Sequence, residues 1–182
     1  MIRPIVCYGA PVLRRKAEPV NIEDPDLPGL IADLWDTMQG ADGVGLAAPQ
    51  IGVSKQVFVV DARPLQKPDE TPFQGVFINP EILWRSEEEF EYEEGCLSIP
   101  GIREKVTRPA VVRLRYWDET GQFHEAEFSG IVGRIIQHEY DHLNGKLFID
   151  HLSPLRRQLL GSKLRKIQKG LVETHYPVLY AI

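Results

Sequence analysis

Cysteine is scarce in this chain, and long apolar runs are missing from it. Only two cysteines, Cys7 and Cys96, occur among 182 residues, so a scaffold held together by several disulfides is excluded. No apolar run approaches the roughly 20 residues that a membrane-spanning helix needs. The amino terminus also lacks the long apolar segment of a secretory signal. We therefore expect a cytoplasmic protein with no membrane partner.

Positive charge is also in deficit. Lys and Arg number 21 against 26 Asp and Glu, which gives a net charge of -5. A surface of this sign does not attract DNA, and we expect no DNA partner. Apolar residues make up 43% of the chain, an ordinary fraction for a globular protein. With no repeat and no linker, the sequence predicts a single catalytic domain over residues 1–182.

The order of the predicted elements indicates an α+β fold. Mostly antiparallel β-sheets are expected around a central buried helix, with one helix towards each end of the chain. Apolar periodicity and capping residues predict helices over residues 24–41, 129–143 and 153–169. Alternation and turn residues predict strands over 56–61, 75–78, 82–85, 89–93, 110–117 and 122–128. The tail 171–182 has the composition of an extended strand, but its structure stays open.

The most specific chemical motif is His138-Glu139-Tyr140-Asp141-His142. Histidines four residues apart on a helix project from one face, a turn apart, and Glu139 can exchange a proton with water at a metal held there. On an exposed helix an unliganded pair would be the better interpretation. Apolar residues surround this helix on nearly every side, however, and burying unpaired polar groups is costly. The motif therefore predicts a divalent metal at His138 and His142.

A catalytic metal usually has a third protein ligand. His151 and Glu173 lie downstream of the motif, but His151 follows a helix end and is expected at the surface. Cys96 is the better candidate, because Gly95 lets the backbone come close and a thiolate binds divalent transition metals well.

A glycine-rich turn covers residues 43–50. It lacks the Gly-Lys-Ser/Thr ending of a phosphate-binding loop. It could bring backbone groups and the Gln50 amide to a substrate, or it could simply end the first helix.

Together, three segments resemble the motifs of peptide deformylases. They are Gly43-Val44-Gly45-Leu46-Ala47-Ala48-Pro49-Gln50, Glu94-Gly95-Cys96-Leu97-Ser98 and Gln137-His138-Glu139-Tyr140-Asp141-His142. The resemblance covers roughly residues 1–155. It implies hydrolysis of the N-formyl group on the starting methionine of new polypeptides, with release of formate. It also implies Fe²⁺ as the metal, which Ni²⁺, Co²⁺ or Zn²⁺ can replace.

The same resemblance assigns roles to further residues. Glu139 serves as general acid and base, while the Gln50 amide and the Leu97 backbone N–H hold the oxyanion. The substrate-binding set is Val44 and Gly45, which pair with the peptide backbone, and Glu94, Gly95, Arg103 and Ile135 around the methionine. An ion pair between Arg108 and Asp141 is implied as well, with a backbone hydrogen bond as the alternative for Asp141. Two features depart from the family pattern: Gly133 stands where alanine is expected, and the tail after Gly170 matches no pattern of the family.

The predicted helix over residues 153–169 carries six cations and no anion. Its apolar face, formed by Leu155, Leu159, Leu160, Leu164 and Ile167, should pack on the domain. The cations would then point outwards, either as a solvated face or towards the RNA of the ribosome. A metallopeptidase and a non-catalytic metal-binding or ribosome-associated module remain the alternative functions. An intact Glu139 argues against the second.

Overall fold

The structure, a computed structural model, describes residues 1–181. Its strands are β1 (Ile5–Val6), β2 (Gly45–Ala47), β3 (Val57–Asp61), β4 (Gln74–Arg85), β5 (Glu89–Cys96), β6 (Ile99–Pro109), β7 (Val111–Trp117), β8 (Phe123–Ser129) and β9 (Val178–Leu179). Its α-helices are α1 (Leu27–Gly40), α2 (Gly130–Leu143), α3 (Pro154–Leu159) and α4 (Gly161–Gln168). Within residues 1–181, no helix combines the length and the apolar character that crossing a membrane requires.

Antiparallel pairing dominates the sheets. A five-stranded sheet has the order β2-β3-β4-β7-β8, and β5 and β6 form a separate hairpin. The short pair β1–β9 is parallel and joins the two ends of the chain. The predicted α+β class with mostly antiparallel sheets is confirmed.

Helix α2 is enclosed as predicted. Its apolar residues Ile135, Ile136 and Leu143 pack in one cluster with Phe58 and Phe77 of the five-stranded sheet. The polar residues of the His-Glu-x-x-His motif are buried on the same helix. The core therefore surrounds the motif instead of leaving it on the surface.

Helix α1 and strand β4 differ in their bounds from the sequence predictions. Helix α1 begins at Leu27, not at residue 24, because the Asp24 carboxylate accepts a hydrogen bond from the Asp26 N–H at 2.9 Å and forms a local turn. The two strands predicted at 75–78 and 82–85 are one irregular strand, β4. Within it, Asn79 adopts a positive φ of 49°, and its amide exchanges two hydrogen bonds of 2.8 Å with the Val20 backbone.

Strand β6 was missed altogether. Its inward positions alternate correctly, but two of them are the buried charged residues Glu104 and Arg108. Charged residues at inward positions hide the apolar alternation from which a strand is predicted.

The predicted carboxy-terminal helix is broken in two. The helix ends at Leu159 and restarts at Gly161, where glycine has a low helix propensity. The prediction that the whole apolar face packs on the domain was therefore wrong, because Leu155 and Leu159 are 67% and 62% exposed. Leu160, Leu164 and Ile167 are buried as expected.

The tail returns to the domain as a short strand. Ile5 and Val6 of β1 pair with Val178 and Leu179 of β9, which agrees with the extended structure that its composition favoured. Ile182, the last residue of the predicted tail, lies outside the described residues.

Candidate metal and catalytic site

The three predicted ligands lie together. Helix α2 presents His138 and His142 with ring centroids 5.1 Å apart, and Cys96 enters from the end of β5. One donor atom from each residue lies within 4.8 Å of the other two, and the Cys96 Sγ to His142 Nε2 distance is 3.5 Å. A thiolate with two imidazoles is a suitable donor set for a divalent transition metal, and three protein ligands leave a coordination position open.

The other two candidate ligands lie elsewhere. The His151 Nε2 atom is 2.7 Å from an Asp141 carboxylate oxygen, and Glu173 lies on the wall of the neighbouring cleft. Across residues 1–181, Cys96, His138 and His142 form the one group of three or more such side chains that could hold a metal.

A buried carboxylate orients the first imidazole. Glu94 Oε1 lies 2.8 Å from His138 Nδ1, while its other oxygen accepts hydrogen bonds from Arg108 at 2.6 Å and Arg134 at 2.8 Å. Burial would raise the pKa of Glu94, but the His138 hydrogen bond and the Arg108 guanidinium outweigh it and hold the pKa below its ordinary value. The ionised carboxylate fixes the imidazole so that Nε2 faces the other donors.

This arrangement adds a second role to the one expected of Glu94. The resemblance placed it beside the substrate methionine, and it does lie on the cleft wall. Both of its carboxylate oxygens, however, are engaged with His138 and the two arginines. Glu94 thus supports a ligand, and its place in a methionine pocket stays a prediction.

The same network holds Asp141. Arg108 Nη1 donates to Asp141 at 2.9 Å, so the implied ion pair is present. Sequence reasoning missed Arg134 and the contact that His151 makes with Asp141. The sequence does indicate the role of Arg134, because it is a lone cation inside an otherwise apolar helix stretch. A buried charge at such a position needs a partner.

Glu139 is buried beside the donor atoms. It is 4% exposed, and its Oε2 lies 3.9 Å from His138 Nε2. Burial raises the pKa of Glu139 to about 7; His138 and Arg108 oppose the rise, and the carboxylates of Glu94 and Asp141 add to it. Its Oε1 has no hydrogen-bond partner within the described chain. A carboxyl group with this pKa can both accept and return a proton near neutral pH.

The glycine-rich turn provides room for this carboxylate. A Cβ atom added at Gly45 would lie 2.7 Å from Glu139 Oε2, so any side chain there would displace the acid. Gln50 is fixed too: its Oε1 accepts the Ala47 N–H at 3.0 Å, which turns its NH₂ group towards Ser98 Oγ at 3.1 Å and Cys96 Sγ at 3.5 Å.

A cleft of about 790 Å³ opens over these groups. Its wall includes nearly all the residues predicted to act on or bind a substrate: Val44, Gly45, Gln50, Glu94, Gly95, Cys96, Leu97, Arg103, Ile135, His138 and Glu139. His142 lies beneath this wall and is 1% exposed. The tail residues Glu173, Thr174, His175 and Tyr176 also line the cleft, which no sequence pattern indicated.

The fold and the site define a class of α+β enzymes in which a buried helix carries His-Glu-x-x-His and a neighbouring strand supplies a cysteine. More particularly, the chain belongs to the polypeptide deformylase family, whose model matches residues 2–158.

Comparisons over nearly the whole chain agree with this assignment. The chain is 46% identical to the peptide deformylase of Cytophaga hutchinsonii, with 100% of this chain and 99% of that protein covered. The crystal structure of a peptide deformylase from Legionella pneumophila superposes with a TM-score of 0.82 at 44% identity, covering 93% of this chain and 96% of that one. For the peptide deformylase from Ehrlichia chaffeensis the TM-score is 0.85 at 32% identity, with 93% and 98% covered.

Proposed function

We propose that the protein is a metal-dependent peptide deformylase, which hydrolyses the N-formyl group of formyl-methionine on newly synthesised polypeptides and releases formate. One observation carries the proposal: Cys96, His138 and His142 converge beside the buried Glu139 under a cleft. Family membership supports it. Because new polypeptides are the substrate, we place the reaction in the cytoplasm.

Cys96, His138 and His142 would hold one divalent metal, with Fe²⁺ as the first candidate and Ni²⁺, Co²⁺ or Zn²⁺ as possible substitutes. The ion would supply Lewis-acid chemistry, polarising the formyl oxygen and making water more acidic. The hydrogen bond from His138 Nδ1 to Glu94 keeps the other ring nitrogen free for the metal.

The protein's own groups handle the proton and the developing charge. Glu139 takes a proton from the attacking water and delivers it to the departing amine, a role that suits its pKa of about 7. The Gln50 NH₂ group and the Leu97 backbone N–H hold the negative oxygen of the tetrahedral intermediate. The contact of Gln50 Oε1 with the Ala47 N–H supports this role, because it turns the NH₂ group towards the donor cluster.

The cleft would bind the formyl-methionyl end of the chain. Val44 and Gly45 offer backbone groups to the peptide, while Gly95, Arg103 and Ile135 surround the methionine side chain. Their common position on one cleft wall supports the assignment.

The test is release of formate from a formyl-Met-Ala-Ser tripeptide, with its peptide bonds followed by mass spectrometry. A deformylase yields formate and an intact Met-Ala-Ser. Cleavage of an internal bond would indicate a metallopeptidase, and no turnover with metal bound would indicate a binding module.

We further propose that α3 and α4 contact the ribosome. Arg157, Lys163, Arg165, Lys166 and Lys169 are exposed, and none of them forms an ion pair with the described part of the chain. Arg156 differs, because it pairs with Glu104 at 2.7 Å. A concentration of exposed cations on a chain of net charge -5 supports binding to an RNA backbone.

A further inference from the structure

The tail that follows the family match reaches into the site. The match ends at residue 158, whereas Tyr176, further along the chain, lies on the cleft wall. Its hydroxyl donates a hydrogen bond of 2.7 Å to the backbone carbonyl of Leu97. Leu97 follows the metal-ligand candidate Cys96 directly, so the tail touches the segment that carries both a ligand and an oxyanion donor.

Both ends of the chain hold this segment. The Tyr8 N–H, just after β1, donates to the Ser98 carbonyl at 2.8 Å. The tail stays on β1 because the Ile5 N–H donates to Pro177 and the Cys7 N–H to Leu179, at 2.9 and 3.0 Å. The Leu97 and Ser98 carbonyls are therefore held by Tyr176 and Tyr8, which flank two strands that pair with each other.

Fixing the Leu97 carbonyl constrains the preceding peptide. The carbonyl belongs to the peptide plane after Leu97, and the Leu97 N–H belongs to the plane before it. Only the φ and ψ angles of Leu97 separate these two planes. A hydrogen bond that holds one plane therefore limits where the N–H in the other can point.

We propose that Tyr176 is a positioning residue for deformylation, acting through Leu97 to keep its N–H directed at the oxyanion. Tyr176 does not touch the reacting atoms in this role. The inference rests on the proposed function, since it assumes that the Leu97 N–H stabilises an oxyanion. Positioning of this kind affects the transition state more than substrate binding.

The test compares Tyr176→Phe with Tyr180→Phe. Tyr180 is a matched control, because its hydroxyl also donates to a backbone carbonyl, that of Val172, but within the tail. Each variant is loaded with Ni²⁺. Its kcat is measured at a temperature well below the lower of the two thermal unfolding midpoints and is expressed per bound metal. We expect Tyr176→Phe to lower kcat by about 3- to 10-fold with KM within about twofold of the parent, and Tyr180→Phe to match the parent in both.

The outcomes separate this inference from the proposed function. A tail that only packs on the domain would lower both unfolding midpoints and leave kcat per metal unchanged, which would overturn the role of Tyr176 while the parent still released formate. Loss of metal in proportion to activity would also overturn it, in favour of support for Cys96. A parent protein that releases no formate would refute the proposed function itself, and the inference with it.

Discussion

At the scale of single residues, the site depends on groups that are buried and charged at once. Glu94, Arg108 and Asp141 would each be costly to bury alone, but together they satisfy one another. Glu139 stands apart, because one of its oxygens has no partner within the described chain. Glu94, Arg108 and Asp141, which support the site, are thus paired with one another, whereas the residue proposed to move a proton has an oxygen left unpaired by residues 1–181.

The variant Glu139→Gln separates binding from chemistry. The amide is nearly isosteric but cannot accept and return the proton, so formate release should fall by about 10²-fold or more, while the metal content stays at the parental level. Formate release and metal analysis on one preparation measure both quantities. The control Glu91→Gln alters an exposed carboxylate and should change neither. Parental activity in Glu139→Gln would remove this residue from the mechanism.

The variant Glu94→Gln tests the network behind His138. Arg108 and Arg134 would lose their shared carboxylate, and an uncompensated buried charge costs about 3–5 kcal/mol. Metal affinity should also drop by about 10- to 100-fold, because the imidazole loses its orienting partner. Urea unfolding and competition with a chelator give the two values. Glu81→Gln, which opens an exposed pair with Arg115, should cost less than about 1 kcal/mol; an equal loss in both variants would contradict the network.

The sequence predicted the site residues that stand in short local motifs, but it did not predict which distant residues contact them. Cys96, His138 and His142 stand in short motifs, and the structure brings them together. The contacts of Arg134 and Tyr176 join residues 40 and 79 positions apart. No local pattern encodes such a contact, because it depends on how strands and tail fold back on the domain.

At the scale of elements, Gly133 in α2 is a packing requirement. Glycine is a poor helix former, and its presence in place of the expected alanine had no explanation in the sequence. A Cβ atom there would lie 2.8 Å from the Phe128 carbonyl oxygen. Helix α2 therefore approaches the end of β8 more closely than any side chain would permit.

Alanine substitution should consequently act in opposite directions on two helices. Gly133→Ala should destabilise the protein by about 1–3 kcal/mol, because backbone atoms must move. Gly29→Ala in α1, where an added Cβ meets nothing within 4 Å, should stabilise it by up to about 1 kcal/mol. Urea unfolding of both variants measures the difference. Stabilisation of similar size in both would show that α2 does not need the glycine.

Element prediction failed where tertiary contacts override local preference. Strand β6 was not predicted because Glu104 and Arg108 replace apolar residues on its inner face, where Arg156 and Glu94 pair with them. A single helix was predicted over 153–169 because the apolar spacing of the sequence continues through Gly161. Only the structure shows that Leu160 and Leu164 turn inwards while Leu155 and Leu159 remain exposed.

At the scale of the whole molecule, charge is unevenly distributed. The chain is acidic, yet exposed cations are concentrated on α3 and α4 and at Lys169, which follows them. A ribosome contact made by these cations should be sensitive to salt, because bound cations release the counterions of RNA.

Reversal of Arg165, Lys166 and Lys169 to Glu should therefore weaken co-sedimentation with ribosomes and leave formate release from a short peptide unchanged. The control reverses Arg15, Lys16 and Lys67, which are also exposed and give the same change in net charge. Salt dependence is measured by repeating the sedimentation at two ionic strengths. Equal weakening by both triple variants would reduce the effect to net charge, and no binding by the parent would refute the contact.

One metal at Cys96, His138 and His142 is proposed to make the protein a deformylase, and an anaerobic titration tests this role most directly. Metal-free protein is titrated with Fe²⁺ while formate release from a formyl-Met peptide is recorded. We predict a rate that rises in proportion to added metal, levels off at about one equivalent per chain, and stays near zero for Cys96→Ala. Cys7→Ala should titrate like the parent, because burial raises the pKa of the Cys7 thiol to about 11 and leaves it a poor ligand. Full formate release without metal, or a Cys96→Ala protein that titrates like the parent, would contradict the account.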